Sequence, residues 1–169
     1  MILFHDNRRI YFDLAGPQSA PTVCFTHSLA ADGGMWNEQL VPLLAAGYRV
    51  LRLDMRGHGG SEPVEGDYTM QALADDVKGA LDVLGIAKVH YIGLSIGGMI
   101  GQGFALTYPE RLQSMMLCDT HPSSPDDSGG LWDQRKAAVR KGGVKALADG
   151  NMDRWFTPEF KGVNPGRWK

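Results

Sequence analysis

Short apolar runs alternate with amphipathic segments of helical length along most of this chain, and this alternation restricts its fold more than any other feature. Five runs predict strands, namely RIYFDLAG (9–16), TVCFTH (22–27), YRVLRLD (48–54), KVHYIG (88–93) and LQSMMLCD (112–119). The segments between them predict helices at 35–47, 69–85 and 95–108. Strands that alternate with helices are typical of a mostly parallel sheet with helices on its faces. The sequence therefore predicts an α/β fold.

The two ends of the chain depart from this pattern. We expect His5 to lie in a frayed start, ahead of the first predicted strand. After His121 the stretch PSSPDDSGG is typical of a linker, and LWDQRKAAVRKGGVKALADG predicts helices broken at Gly142-Gly143. We therefore predict a boundary between 1–121 and 122–169.

The charge of the chain excludes some classes of partner. The net charge is −2, which does not favour binding to nucleic acid or to an anionic membrane. Residues 1–128 contain 8 basic and 15 acidic residues, whereas residues 129–169 contain 9 basic and 4 acidic residues. The C-terminal stretch is therefore expected to form a different kind of surface from the rest.

The cysteines and the N-terminus bear on the compartment. Cys24 and Cys118 each lie in an apolar run, which predicts two buried free thiols and a reducing compartment. The start MILFHDNRRI has no long apolar stretch of the secretory type, and no run approaches the ~18–20 apolar residues of a membrane span. We expect a soluble cytoplasmic protein, and oligomerisation stays open.

The stretch GLSIGG (93–98) fits the pattern G-x-S-x-G and joins a predicted strand to a predicted helix. This context is typical of a turn that holds a serine nucleophile in an unfavourable backbone conformation. Gly93 and Gly97 suit such a turn, since a Cβ atom at either position would clash. We predict that Ser95 is a catalytic nucleophile; the alternative is a serine that only caps the helix.

A serine nucleophile needs hydrogen-bond donors for the negative charge that develops on the substrate carbonyl oxygen. The stretch HSLA (27–30) directly follows a predicted strand, and Ile96 directly follows the serine. We predict that the backbone N–H groups of Leu29 and Ile96 form an oxyanion hole. His27 is predicted to shape this loop through hydrogen bonds, with a role as catalytic base as the alternative.

The glycine-rich stretch DMRGHGGSE (54–62) lies between a predicted strand and a predicted helix. We predict that Asp54, Arg56 and Ser61 hold this loop in place through hydrogen bonds and an ion pair. His58 is not expected to be catalytic. No G-x-x-x-x-G-K-[ST] stretch is present, so the glycines do not indicate a phosphate site.

Asp119 ends the strand at 112–119 and is expected at the sheet edge that carries the serine. Two roles stay open for it: the acid that orients a catalytic base, or a hydrogen-bonded wall of the site. His121 is an alternative base, whereas His90 lies inside a strand and is expected to be structural. No H-x-x-x-H or C-x-x-C spacing occurs, so no metal is predicted.

With GLSIGG, HSLA and DMRGHGGSE in this order, the chain resembles α/β-hydrolases. The stretches LVPLLAAGYRVLRLDMRGHGGSE, LDVLGIAKVHYIGLSIGGMIGQ and YPERLQSMMLCDT are more closely similar to 3-oxoadipate enol-lactonases. The resemblance implies a mostly parallel twisted sheet with flanking helices, and it assigns the nucleophile to Ser95 and the oxyanion donors to Leu29 and Ile96. It also implies hydrolysis of the enol-lactone ring of a dicarboxylate, without a cofactor.

The resemblance further implies that the fold is incomplete on its C-terminal side. Residues 1–121 correspond to the N-terminal part of the core, and residues 122–169 to a linker and the beginning of a helical cap. The triad acid and histidine are then expected from a C-terminal portion, either a cleaved fragment or a separate chain. The strand at 112–119 would be an exposed sheet edge, which is prone to aggregation.

The basic C-terminal stretch suggests the substrate class. Trp132, Arg135 and Trp155 are predicted to bind a small carboxylate-bearing ester or lactone, because arginine binds carboxylate in a bidentate manner; a solvated helix face is the alternative. A general esterase, a perhydrolase or a C–C hydrolase also stays open. The alternative outside enzymes is a non-catalytic half that acts as a binding or assembly module.

Overall fold

The computed structural model describes residues 1–123 and 128–163. The chain divides into two compact units, Met1–Pro122 and Ser123–Lys169. In the described residues, the first unit contains the sheet and its helices, and the second contains helices only.

The first unit is built on one sheet. Its described strands are β1 (Ile2–His5), β2 (Arg8–Ala15), β3 (Thr22–Thr26), β4 (Arg49–Leu53), β5 (Val89–Leu94) and β6 (Leu112–Cys118). They lie in the order β1-β2-β4-β3-β5-β6. The four strands from β4 to β6 in this order run parallel, whereas β1 and β2 form antiparallel pairs. The predicted α/β-hydrolase-type sheet, mostly parallel with flanking helices, is confirmed.

The helices of the first unit connect the parallel strands. They are α1 (Asn37–Ala45), α2 (Met70–Val83) and α3 (Ile96–Thr107), with 3₁₀ turns at Gly33–Trp36 and Pro109–Arg111. The first predicted helix therefore begins as a 3₁₀ turn, because the Asp32 carboxylate accepts a hydrogen bond from the N–H of Gly34 (2.7 Å) and caps that turn. Thr69 caps α2 through the N–H of Ala72 in the same manner.

The start of the chain is a strand and not a frayed end, so the expectation for His5 was wrong. β1 pairs with β2 in antiparallel register from Ile2↔Tyr11 to His5↔Arg8. Asp6 and Asn7 have φ of 48° and 60°, and a two-residue hairpin turn of this type requires positive φ at both positions. The hairpin allows β1 to pair with β2, although four residues are too few for their apolar pattern to predict a strand.

The core lies on both faces of the central strands. On one face Cys24, Leu51 and Tyr91 are fully buried beneath α2 and α3, together with Leu81 and Phe104 of those helices. On the other face a smaller cluster packs against α1 and consists of Val23, Phe25, Trp36 and Val50. Burial of each large apolar side chain contributes roughly 1.5–3 kcal/mol, so these central strands form a rigid platform for the loops that follow them.

The predicted exposed edge is confirmed at β6, which ends the strand order. Met115, Met116 and Leu117 are 39%, 58% and 36% exposed. Both cysteines are free, but only Cys24 is buried, and its burial raises the pKa of the thiol to about 12. Cys118 is half-buried because it lies on this edge strand, which corrects the prediction of two buried thiols.

The second unit contains α4 (Ser128–Gly142), a 3₁₀ turn at Val144–Leu147, α5 (Ala148–Trp155) and α6 (Pro158–Val163). The predicted break is present, since Gly143 has φ of 69° after the end of α4. The sequence reading did not predict α6. Its signal is local, because Thr157 accepts a hydrogen bond from the N–H of Phe160 (3.2 Å) and Pro158 occupies the first helical position.

Candidate active site

Ser95 lies at the turn between β5 and α3. Its backbone has φ of 56° and ψ of −117°, a conformation that residues other than glycine rarely adopt. Hydrogen bonds hold the turn from β6 and the residues that follow it: the N–H of Ser95 donates to Cys118 O (2.9 Å), and Thr120 Oγ1 donates to Ser95 O (2.8 Å). The surrounding structure therefore maintains a strained serine at the carboxyl end of a buried strand.

Glycines are required around this serine because backbone atoms crowd the turn. A Cβ atom on Gly93 would lie 2.2 Å from Gly97 O, and one on Gly97 would lie 2.5 Å from Thr26 O. A Cβ atom on Gly98 would lie 2.7 Å from the Cβ of Thr120. The strand, the helix and the loop after β3 thus approach each other more closely than any side chain would allow.

Two buried hydroxyl groups support the turn from inside the core. Tyr91 Oη donates to Gly97 O (2.7 Å) and lies 2.6 Å from Thr26 Oγ1, which is itself 3.2 Å from Gly97 O. Burial raises the pKa of Tyr91 well above its ordinary value, so the phenol stays protonated and keeps its donor. Tyr91, Thr26 and Thr120 were not predicted from the sequence, because a hydroxyl that bonds a distant carbonyl leaves no spacing pattern.

The two predicted oxyanion donors follow neighbouring strands. Thr26 of β3 pairs with Gly93 of β5, and Leu29 and Ile96 each come three residues after this pair. Ile96 is the first residue of α3, so its N–H has no acceptor within the helix, and the helix dipole is positive at this end. Within residues 1–123 and 128–163, neither N–H donates to a protein acceptor. Both groups meet this requirement of an oxyanion donor.

His27 is fully buried, and both of its ring nitrogens bond to backbone. Nδ1 donates to Ser28 O (2.8 Å), and Nε2 accepts a hydrogen bond from the N–H of Met55 (2.9 Å). Burial lowers the pKa of His27, which favours this neutral form. The predicted loop-shaping contacts of His27 are thus present, and neither nitrogen is available to remove a proton from a serine.

The loop at 54–62 is held by the predicted contacts. Asp54 accepts hydrogen bonds from the N–H groups of Gly33 (2.7 Å) and Gly60 (2.9 Å), and Ser61 Oγ donates to Asp54 O (2.7 Å). The partner of Arg56 is a residue that the sequence reading did not name, Asp76 of α2, at 2.6 Å. Charged groups this deeply buried require such pairing.

Asp119 directly follows β6, whose Cys118 pairs with Leu94 of β5. Asp119 therefore lies beside Ser95, at the carboxyl ends of the two strands. It is exposed, and its φ of 42° lies in the left-handed region, which is strained for a residue with a Cβ atom.

The other histidines contact groups away from the serine. His5 is separated from β5 by three strands in the sheet order, and His90 Nδ1 bonds Ser114 Oγ (2.8 Å) near the amino end of β5. The backbone oxygen of His121 accepts from Gln102 Nε2 (3.0 Å). In the described part of the chain, no histidine nitrogen bonds to the Ser95 hydroxyl, and no three His, Cys, Asp or Glu side chains are grouped to hold a metal ion.

The second unit carries the predicted aromatic and basic residues. The guanidinium of Arg135 lies 4.9 Å from the ring centroid of Trp132, which indicates a cation–π contact. Burial, and then the positive charge of Arg154, lower the pKa of Arg135. Trp132 and Trp155 are both exposed. This unit therefore presents exposed aromatic rings and at least one aromatic-stacked cation.

The chain is similar to known proteins in sequence and in overall fold. A sequence model of the α/β hydrolase fold family matches residues 21–148. The 3-oxoadipate enol-lactonase 1 of Acinetobacter baylyi is 34% identical over 160 residues, which cover 95% of this chain and 59% of that protein. Among the helices of the described residues, none combines the length and apolar character that crossing a membrane requires.

Two solved structures show the same fold. The enol-lactonase from Burkholderia xenovorans LB400 has a TM-score of 0.90 and 34% identity, covering 98% of this chain and 63% of that chain. A thermophilic esterase from Thermogutta terrifontis, with malate bound, has a TM-score of 0.83 and 32% identity, covering 94% and 58%. The chain thus spans less than two thirds of the length of each of these relatives.

Proposed function

The chain belongs to the α/β-hydrolase family, and from this premise we propose that it carries the nucleophile of an enzyme that hydrolyses a carboxylic ester or lactone. The observation that supports this most directly is Ser95 at φ of 56° between β5 and α3, in a turn that only glycines can flank. A fold maintains a strained serine of this kind where its hydroxyl must be presented to a reactant.

In the proposed reaction Ser95 Oγ attacks the carbonyl carbon, and the leaving oxygen departs with a proton to give an acyl-enzyme. The N–H groups of Leu29 and Ile96 stabilise the negative charge on the carbonyl oxygen, an effect worth about 3–4 kcal/mol per donor in comparable sites. Water then attacks the acyl-enzyme and releases the acid. No cofactor enters either step.

We propose that the base, and with it the triad acid, comes from a C-terminal portion of the same enzyme, carried on this polypeptide or on a second one. A serine hydroxyl needs a base that accepts its proton. Both ring nitrogens of His27 are bonded to backbone, and among the described residues no other histidine bonds the serine. The exposed β6 edge offers the position at which a further strand would pair.

The proposed substrate is a small ester or enol-lactone that bears a carboxylate. The similarity to two enol-lactonases and to an esterase solved with malate supports a carboxylate-bearing acyl group. Arg135, stacked on Trp132, would bind the carboxylate, and Trp155 would add an apolar wall. The free thiols of Cys24 and Cys118 favour a reducing, cytoplasmic location.

Covalent labelling tests the proposed nucleophile. We expect a fluorophosphonate to label the complete native protein on Ser95, because phosphonylation requires an activated serine. Ser95→Ala abolishes the label, whereas Ser114→Ala on the exposed edge strand retains it. An unlabelled Ser95 in the complete protein would favour the second candidate, a non-catalytic binding or assembly module, for which the lack of a described histidine at Ser95 is the supporting observation.

Intact mass tests the proposed second portion. We expect the active enzyme to contain a C-terminal portion with a late aspartate and histidine, carried on this polypeptide or on a second one. A single 18.4 kDa species that turns over esters by itself would contradict this part of the proposal.

Kinetics test the substrate class and the role of Asp119. Arg135→Ala should raise KM for acidic esters and leave KM for neutral esters unchanged, with the exposed Arg140→Ala of the same helix as the control. Asp119→Asn should lower kcat by less than about tenfold, because the proposed triad acid lies in the C-terminal portion and Asp119 then forms part of the site wall. A decrease of about 10⁴-fold would instead identify Asp119 as the triad acid.

A further inference from the structure

We infer that His58 is a positioning residue that holds the oxyanion loop (residues 27–30) in place through the backbone N–H of Ala30. This inference rests on the proposed function, since it assigns His58 a part in binding the oxyanion. His58 contacts neither the serine nor a substrate, and the loop it holds is the one that carries Leu29.

The contacts define which form of the imidazole is present. Nε2 of His58 accepts a hydrogen bond from the N–H of Ala30 (3.2 Å), and Nδ1 lies 3.2 Å from Arg56 O. A backbone N–H can only donate, so Nε2 is unprotonated. A carbonyl can only accept, so Nδ1 carries the proton and donates it to Arg56 O. The ring therefore bridges two backbone segments as a neutral donor and acceptor.

The bridge acts at a strained point of the oxyanion loop. Ala30 has φ of 63°, a left-handed conformation that is strained for a residue with a Cβ atom. Its N–H belongs to the peptide group that joins Leu29 to Ala30, so the hydrogen bond fixes the orientation of that peptide. A further turn contact runs from the N–H of Ala31 to Ser28 O (3.2 Å). Without the bridge, the peptide next to the proposed donor would be free to relax.

The other end of the bridge is rigidly anchored. Arg56, whose carbonyl His58 bonds, is itself buried and pairs with Asp76 of α2 at 2.6 Å. The ring of His58 lies 5.3 Å from the ring of His27, whose Nε2 accepts from the N–H of Met55 in the same loop. Two histidines thus connect the loop at 54–62 to the loop at 27–30, and His58 reaches further toward Leu29.

Two substitutions test the acceptor Nε2 of His58 separately from the donor Nδ1. In His58→Gln the side-chain carbonyl oxygen reaches the position of Nε2 and can accept from Ala30. In His58→Asn the amide reaches only the position of Nδ1, so the Arg56 contact is kept and the acceptor for Ala30 is lost. His90→Asn, at an exposed contact to Ser114, is the control for general effects of replacing a histidine.

Hydrogen exchange of the Ala30 amide measures its hydrogen bond to His58 directly in the complete native protein. We expect His58→Asn to speed this exchange about five- to tenfold, the effect of losing one hydrogen bond, while His58→Gln and His90→Asn stay near wild type. The Ala31 amide is the internal reference. Equal exchange of Ala30 in the Asn and Gln variants would overturn the inference.

Fluorophosphonate labelling of the same proteins reads the effect on the reaction. We expect His58→Asn to label Ser95 about tenfold more slowly and His58→Gln to recover most of the rate. A normal labelling rate in His58→Asn would overturn the positioning role. A wild-type protein that is not labelled would contradict the proposed function instead. Hydrogen exchange at Ala30 would still test whether His58 bonds this amide.

The wild type alone provides a test that does not depend on the variants folding. Nitrogen-15 NMR of the imidazole should show His58 with its proton on Nδ1 and with Nε2 as acceptor. A ring protonated on Nε2 would be unable to accept from Ala30, and the inference would fail.

Discussion

β5 and β6 are neighbouring strands of similar apolar composition, yet they differ sharply in burial. Tyr91 and Ile92 of β5 pair with Met115 and Met116 of β6. Tyr91 is fully buried, whereas Met115 and Met116 are 39% and 58% exposed. An apolar run therefore predicts a strand, but the neighbours of that strand decide whether its side chains are buried.

The same difference extends to the residues after each strand. Ser95 and Asp119 both have positive φ, and both follow adjacent strands. Hydrogen bonds from Thr120, Gly98 and Met99 hold the carbonyl of Ser95, whereas Asp119 is exposed. The interior strand therefore presents a fixed serine, and the edge strand presents an acidic side chain to solvent.

The largest effect is expected at the end of β5. Gly93→Ala introduces a Cβ atom 2.2 Å from Gly97 O, where backbone cannot move aside, so we expect a loss of about 3 kcal/mol or more in the free energy of unfolding. Gly103→Ala in α3 is the matched control, since its nearest neighbour is 3.7 Å away. Urea denaturation measures both. Equal stability of the two variants would show that the turn is not crowded.

A smaller effect is expected at the paired positions Tyr91 and Met115. Tyr91→Phe removes one oxygen but leaves the buried Gly97 O and Thr26 Oγ1 short of a partner, which costs about 1–2 kcal/mol. Met115→Ala removes three heavy atoms from a half-exposed site and should cost less than about 1 kcal/mol. Thermal unfolding of the two variants compares them. A greater cost at Met115 would contradict the difference in burial.

A third prediction concerns the pH dependence of stability that buried His27 causes. Burial lowers the pKa of His27 below its ordinary value of 6.5, so the unfolded chain binds more protons between the two values. The stability due to neutral His27 is complete above about pH 6.5 and is lost as the pH falls from there toward the folded pKa. His27→Gln should flatten this part of the profile, measured by urea denaturation at several pH values.

The control for this profile is Ser28→Ala, which keeps the carbonyl that Nδ1 of His27 bonds. It should retain the slope of the wild type. An unchanged slope in His27→Gln would show that His27 is not the group responsible.

The smallest effect on stability is expected on the exposed face of β6. Met116→Lys should change the free energy of unfolding by less than about 0.5 kcal/mol. It should also lower aggregation, because a charge on an apolar edge strand discourages pairing between chains. Light scattering of the isolated chain measures this, with Met116→Leu as the control. Equal aggregation of the two variants would show that β6 is not the surface through which chains associate.

Much of the first unit was predictable because its signals are local. The apolar runs placed five of the six described strands within about one residue of their observed bounds. The motif around Ser95 and the loop at 54–62 were recognisable from glycine spacing. β1 was missed because four residues carry too little pattern, although Asp6 and Asn7 suit a tight hairpin turn.

The supporting contacts of the site were not predictable in the same way. Tyr91, Thr120 and His58 bond backbone groups that are 6, 25 and 28 residues away in the chain. Their side chains have no periodicity that marks such partners. His58 was not expected to be catalytic, and its contact with Ala30 could be found only in three dimensions.

The sequence by itself determined the alternation of strands and helices, the family, and the glycines that allow a serine to occupy the turn after β5, because each depends on residues close together in the chain. The tertiary structure decided which apolar strand is buried and which histidine ring nitrogens form hydrogen bonds with backbone groups. It also decided how hydrogen bonds connect the loops after β3 and β4. Those features depend on the distance between remote segments, and that distance is set only when the sheet order is formed.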